Sequence, residues 1–220
     1  MSTAMLSFEL LKNHEGLRLL GPPDTLRGFH AILHDVNERS PIILEKEGVF
    51  LALAYDVRKA YEGQRIKRKP ARDEVDAGTL FGVDLLWPLL LLQCRMLRTA
   101  LGFIDTTKRH QAYAYALEAV VEDGLRADFG GDHEVIHSEY LRMSPTHPNF
   151  YQDMTARIEI YTGWSMRERQ RRLANLLETM DPMYPFLYKM RTRQGEVSLL
   201  SPEQVGILSK AEEYARTRGH

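Results

Sequence analysis

The sequence His133-Glu134-Val135-Ile136-His137 contains residue types and a spacing that could carry out catalysis. On a helix, residues four positions apart share a face, so His133 and His137 could bind one zinc ion together. Glu134 between them would polarise a metal-bound water, as in the H-E-x-x-H pattern of metalloproteases. The pattern therefore raises the hypothesis of a zinc-dependent hydrolase.

A zinc site of this kind needs a third protein ligand, which the sequence leaves open. Acidic and histidine side chains that are near in sequence, or that could return on a following helix, are His147, Glu139, Asp153 and Glu159. Two neighbours weaken the hypothesis. Gly130-Gly131 would place His133 in the first turn of any helix, and Tyr140 occupies the glycine position of the longer motif. We therefore favour His133, Glu134 and His137 as polar surface residues and expect no cofactor, with zinc as the alternative.

A basic strip from Arg58 to Arg72 is the second candidate site, and Tyr55 and Tyr61 are interleaved with its first residues. Such a strip could bind phosphate groups. The residues that we expect to contact an anion are Arg58, Lys59, Arg65 and Arg68. The alternative is pairing with surface carboxylates, because the chain has 30 acidic and 29 basic residues. Weak nucleic-acid or anionic-ligand binding is thus a further hypothesis, although no helix-turn-helix or zinc-finger pattern supports sequence-specific recognition.

A second basic cluster begins a helix that the capping box Ser165/Glu168 predicts. Its members are Arg167, Arg169, Arg171 and Arg172. Their spacing does not place all four on one helix face. Cations at a helix N-terminus also oppose the macrodipole, which indicates that another interaction holds them there.

The elements that must position these residues begin with a small, mostly antiparallel sheet. Alternating apolar residues over Leu6–Leu20, around the turn signal at 13–16, predict a hairpin. Asp24 can cap a helix that runs to about Glu38. Three further short strands are predicted at Ile42–Leu44, Val49–Leu53 and Thr79–Val83, with a helix from about Tyr55 to Glu62 and a basic loop beyond it.

A buried helix at about 86–104 is the predicted centre of the fold. It lies within the apolar stretch Leu85–Ile104, which is too interrupted to cross a membrane because Arg95 and Arg98 would be costly in the bilayer. Cys94 lies inside this helix, where burial makes a thiol a poor nucleophile. We therefore expect a core helix and no membrane partner.

Further helices are predicted after the central one. Capping and stop signals place three of them at about 107–126, 165–180 and 182–194. A final helix is predicted to begin at Ser201-Pro202, with Val205, Leu208 and Ala211 facing inward. The clearest break is Phe129-Gly130-Gly131-Asp132. We predict an α+β protein with an α+β domain over 1–128 and a helical portion over 129–220 that packs on the same core.

Two short motifs, Tyr55–Arg65 and Trp87-Pro88, resemble a bacterial family known only as a domain of unknown function. The resemblance covers roughly residues 6–125 and implies no activity, ligand or catalytic residue. It does imply a cytosolic bacterial origin.

Composition restricts the class of protein and its compartment. With one cysteine in 220 residues the chain cannot have a disulfide framework, and its first residues lack a signal-peptide pattern. We expect a cytoplasmic protein that self-associates, since most soluble assemblies are symmetric homo-oligomers. The favoured function is a non-enzymatic interaction or binding module.

Overall fold

The computed structural model of the protein describes residues 5–69, 78–146, 154–196 and 198–207. Four strands form one antiparallel sheet in the order β1-β2-β4-β3. They are β1 (Ser7–Leu10), β2 (Gly16–Gly21), β3 (Ile66–Arg68) and β4 (Leu80–Leu86). The described α-helices are α1 (Pro23–Arg39), α2 (Val49–Tyr61), α3 (Trp87–Ala100), α4 (Lys108–Phe129), α5 (His133–Arg142), α6 (Met154–Gly163), α7 (Met166–Glu178) and α8 (Tyr184–Arg193). A small N-terminal sheet with a mainly helical remainder confirms the predicted α+β fold.

The predicted N-terminal hairpin is present as β1 and β2. Its turn places Asn13 and His14 in the left-handed region, at φ values of 58° and 55°. Cross-strand pairs put Phe8 opposite Leu19 and Leu10 opposite Leu17 on the apolar face. The polar face carries Arg18, which forms ion pairs with Glu9 of β1 and Asp84 of β4 at 3.3 and 2.8 Å; the alternation therefore separates core from surface.

The two strands predicted at Ile42–Leu44 and Val49–Leu53 are wrong. The first segment is irregular, and the second is the start of helix α2. Buried side chains in α2 recur every three or four residues, at Phe50, Leu53, Ala54, Val57 and Ala60. A five-residue apolar window fits a strand or a helix equally well, and only the continuation of the stripe beyond Leu53 reveals the helical period.

A lysine holds the irregular segment between α1 and α2. Lys46 Nζ donates hydrogen bonds to the carbonyls of Asn37 and Ser40 at 2.5 and 2.9 Å, and Asn37 Nδ2 donates to the Lys46 carbonyl at 3.0 Å. These bonds satisfy carbonyls that the end of α1 leaves without helical partners. The segment therefore ends a helix instead of adding a strand.

The last strand and the central helix follow the prediction with shifted boundaries. The strand predicted at Thr79–Val83 is β4, and it continues through Leu86, so α3 begins at Trp87. A 3-10 turn at Leu101–Phe103 follows α3. The short strand β3 lies where a basic loop was expected. Among the described helices, none combines the length and apolar character that crossing a membrane requires.

Helix α3 is surrounded by the sheet and the other helices. Its Trp87, Leu90, Leu91 and Leu92 are fully buried. Helix α4 approaches closely at Gly124, where a Cβ would lie 2.9 Å from the Trp87 ring. One cluster of buried side chains extends from the hairpin to Val205, and so includes residues on both sides of the Gly130 break.

The helix starts predicted in the C-terminal part agree with the structure to different degrees. The capping box Ser165/Glu168 is present at the start of α7. Helix α8 begins at Tyr184 instead of Pro182, and Gly195 follows its end with φ of 97°. Ser201 and Gln204 exchange hydrogen bonds at the predicted start of the final helix, but residues 202–206 form turns instead of a helix. Leu208 and Ala211 lie outside the described residues.

Candidate functional site

The histidine pair lies at the start of α5, and His133 is in the first turn as the glycines predict. His133 Nδ1 is 2.5 Å from the Gly130 carbonyl oxygen, and His137 Nε2 is 3.9 Å from Oε1 of Glu122 in α4. A cavity of about 60 Å³ lies between these groups. Glu134 is exposed and does not line this cavity, so the predicted base and the two histidines do not share an enclosed site.

The described residues supply no group of three His, Cys, Asp or Glu side chains that could hold a metal ion. Of the four possible third ligands, Glu159 is exposed on α6, and Glu139 forms a 3.1 Å ion pair with Arg142. His147 and Asp153 lie outside the described residues. The zinc site therefore stays a prediction without an identified third ligand.

The predicted anion-binding strip is largely occupied by ion pairs. Arg65 lies 2.7 Å from Asp56, and Arg68 lies 3.0 Å from Glu9. Arg58 lies 4.0 Å from Glu62, with its guanidinium 5.3 Å from the centre of the Tyr55 ring. Three of the four predicted residues thus have carboxylate partners. Lys59 has none among the residues that the structure describes, and Arg72 lies outside them. The arrangement supports the surface-pairing alternative for this strip.

Three arginines of the second basic cluster line a groove that we call the arginine groove. Its cavity of about 560 Å³ lies between α5, α7, α8 and the segment after α8. The arginines that line it are Arg167, Arg171 and Arg172 from α7 and Arg191 from α8. Because α7 has 3.6 residues per turn, the first three lie on its groove side.

The groove also contains four glutamates, and each has a partner already. Glu178 and Glu196 hold Arg191 from two sides, the latter at 2.7 Å. Glu168 accepts hydrogen bonds from Ser165, and these bonds lower the pKa of its carboxyl group.

Glu139 is the fourth groove carboxylate. It pairs with Arg142, while its burial raises the pKa of the Glu139 carboxyl above its usual range. Charge pairing within the groove therefore involves its glutamates and Arg191, not the three arginines of α7.

The guanidiniums of Arg167, Arg171 and Arg172 have no carboxylate within 4.0 Å in the part of the chain that the structure describes. Arg172 is the most constrained of the three. Its guanidinium stacks 5.0 Å from the centre of the Trp164 ring, and its buried Nε has no hydrogen-bond partner among the described residues. A buried donor without a partner is costly, and a ligand oxygen would remove that cost.

The fourth arginine of the cluster points the other way. Arg169 is 7% exposed and donates to the carbonyls of Tyr161, Thr162 and Asn13 at 3.0, 2.8 and 3.2 Å. It therefore ties the hairpin turn to the α6–α7 junction. The spacing had indicated that the four arginines do not share a face, and the structure separates one structural arginine from three that line the groove.

A buried polar cluster at the same junction was missed in the sequence. Asp128 of α4 accepts a 2.7 Å hydrogen bond from Trp87 Nε1 and lies 2.9 Å from His14 Nδ1. Tyr161 donates its hydroxyl to the His14 carbonyl. These contacts join residues up to 147 positions apart, and no local pattern signals them.

Thr107, His110 and Asp35 are hydrogen-bonded in series, as the residues of a hydrolase triad are, but here they cap a helix. The Thr107 N–H donates to His110 Nδ1 at 3.1 Å, so the ring proton lies on Nε2, which donates to Asp35 at 2.9 Å. Thr107 Oγ1 accepts the His110 N–H at the start of α4. All three side chains are used in joining α4 to α1, and the bond from His110 lowers the pKa of Asp35.

The fold and the groove together define an α+β domain whose helical part carries an arginine-lined cavity. The chain belongs to the DUF6904 family, a domain of unknown function that it matches over residues 6–196. This match confirms the resemblance to a domain of unknown function and extends it well beyond residue 125. Comparison with curated proteins and with solved structures found no match.

Proposed function

We propose that the protein is a non-enzymatic binding module of the cytoplasm, and that its arginine groove binds a small organic anion with phosphate or carboxylate groups. One observation carries the proposal: three arginines of α7 line one cavity, and their guanidiniums have no carboxylate partners among the described residues. The planar guanidinium presents paired N–H donors that match the oxygens of phosphate and carboxylate. Arg167 lies in the first turn of α7, where its charge opposes the helix dipole, and a bound anion would offset this unfavourable interaction.

The size and rim of the groove favour a small ligand over a nucleic acid. About 560 Å³ falls within the 300–1,000 Å³ or so that small-molecule sites typically have. Glu139 and Glu196 at the groove would repel the continuous negative charge of a nucleic-acid backbone.

Trp164 provides a direct test, because the chain has only two tryptophans and the other, Trp87, is fully buried. Inorganic phosphate and citrate would be titrated into the full-length protein while tryptophan fluorescence is recorded, with sodium chloride at matched ionic strength as reference. We expect a saturable change, since an anion that binds Arg172 alters the ring against which this guanidinium stacks.

Single substitutions at the groove sharpen the test. Arg171→Gln and Arg172→Gln should each weaken binding by about tenfold or more, because a hydrogen bond to a charged group contributes about 1.5–3 kcal/mol. Arg126→Gln is the matched control: it removes an exposed arginine of α4 outside the groove. The proposal is wrong if both probes act only as chloride does, or if the groove variants bind as the wild type does.

A further inference from the structure

The two edges of the sheet differ in how they are protected. The β3 edge is three residues long and carries Lys67 and Arg68, features that discourage pairing with another strand. The β1 edge has neither lysine nor proline, and its Leu10 is 39% exposed. No described strand pairs with its outer side. The β1 edge is therefore the open one.

The hydrogen-bond pattern of the hairpin shows which backbone groups of β1 point outward. The Leu11 N–H donates to the Gly16 carbonyl at 3.0 Å, so this pair is hydrogen-bonded. Bonded pairs alternate along an antiparallel ladder, so Glu9 and Ser7 also bond to β2. The N–H and C=O groups of Phe8 and Leu10 consequently face away from β2, where a further strand could pair with them.

An apolar groove follows the same edge. A cavity of about 340 Å³ lies between β1 and α4, and it is lined by Met5, Leu6 and Phe8 with Ala116, Ala119 and Val120. The small alanine side chains leave room above the sheet. Since side chains of an added strand would lie on the same faces as those of β1, its apolar residues would enter this groove.

We propose that a second copy of this chain occupies the edge, with the two β1 strands antiparallel around a two-fold axis. Phe8 lies opposite Phe8 of the second copy in a hydrogen-bonded pair, and Leu6 lies opposite Leu10. The four-stranded sheets then join into one sheet of eight strands. The apolar residues of each strand meet the groove beside α4 of the other copy.

Charge favours a second copy in this register. Glu9 is held by Arg18 and Arg68, so the polar face of the edge presents no unpaired acid. The register places Ser7 opposite Glu9, whereas a two-residue shift would place Glu9 opposite Glu9, an unfavourable pair of like charges. Asp123 of α4, which lines the apolar groove beside β1, is likewise paired with Arg126 at 2.8 Å.

The first experiment measures the mass of the full-length protein by light scattering during gel filtration over a range of concentrations. We expect a dimer. Leu10→Pro should raise its dissociation constant by about tenfold or more, because proline removes an outward N–H while no bond to β2 is lost. Leu10→Ala is the matched control, since it shortens the same side chain and keeps the N–H. A monomer at every concentration, or a Leu10→Pro dimer as tight as the control, overturns the proposal.

Cysteine pairs test the register independently of the folding of Leu10→Pro. Under mild oxidation with a copper catalyst, a mixture of Ser7→Cys and Glu9→Cys proteins should form disulfide-linked dimers, because these positions face each other across the axis. Each variant alone should stay largely unlinked, and the native Cys94 is buried and does not interfere. Linking of Glu9→Cys alone, or no linking in the mixture, contradicts the proposed register.

Discussion

Asp128 is the residue whose replacement tests most directly how the sheet and helices are joined. Its carboxylate is 7% exposed and contacts two partners: it accepts from Trp87 Nε1 at 2.7 Å and lies 2.9 Å from His14 Nδ1. Asp128→Leu keeps the branching and the number of heavy atoms of the side chain and removes both interactions. The buried indole N–H is then left without a partner, and the hairpin turn loses its contact with α4.

The expected loss follows from the two hydrogen bonds. A hydrogen bond to a charged group contributes about 1.5–3 kcal/mol, so Asp128→Leu should lower the free energy of unfolding by about 3–6 kcal/mol. Asp128→Asn should cost roughly half as much, because the amide oxygen still accepts from Trp87 and the amide N–H can donate to a neutral His14. Asp123→Asn, which loses only an exposed pair with Arg126, should cost about 0.5 kcal/mol or less.

Urea unfolding followed by tryptophan fluorescence measures these differences, and Trp87 itself reports on the site. A double-mutant cycle with Trp87→Phe isolates the indole contribution, for which we expect a coupling of about 1.5–3 kcal/mol. If Asp128→Leu does not fold, the comparison of Asp128→Asn with Asp123→Asn carries the test. A cost at Asp128 equal to that at Asp123 would refute the reasoning.

Three further predictions concern single groups. Burial, with neighbouring His34 and Arg58, lowers the pKa of His30, so the unfolded chain binds a proton at this residue more readily than the folded protein does. The contribution of His30 to stability should therefore be complete above about pH 6.5 and decrease below it. The melting temperature of His30→Gln should depend less on pH than that of the wild type. Burial raises the pKa of the Cys94 thiol to about 12, so a thiol reagent should label it only as fast as the protein opens, and labelling of the native state at the rate of a free thiol would contradict its burial. Ser165→Ala should lower stability by about 1 kcal/mol in urea unfolding, while Thr162→Ala, outside any cap, serves as its control.

Local signals predicted much of the fold. The hairpin needed only alternation and a turn, and the helix after Ser165 needed only its capping box, because both depend on residues a few positions apart. The apolar stretch around Trp87 likewise predicted a core helix without reference to its neighbours. The second half of α2 was predicted as a helix from about Tyr55, but its first residues were predicted as a strand because they were considered apart from the apolar stripe that continues to Ala60.

The candidate sites show where local reasoning ends. The H-E-x-x-H pattern and the basic strip were identified by residue type, but their partners come from elsewhere: Glu9 reaches Arg68, and Glu122 lies near His137. Sequence alone could not choose between ion pairing and ligand binding, because that choice depends on which carboxylates the fold brings within reach.

Sequence by itself thus determined the class of fold, the central helix and the burial of Cys94, since periodicity and composition are properties of neighbouring residues. Tertiary structure alone decided that Arg169 became a buried tie while Arg167, Arg171 and Arg172 line a cavity. It also decided that Asp128 joins His14 to Trp87, across 114 and 41 positions. The physical reason is the same in both cases: the environment of a charged group is set by packing between distant segments, and no local pattern encodes it.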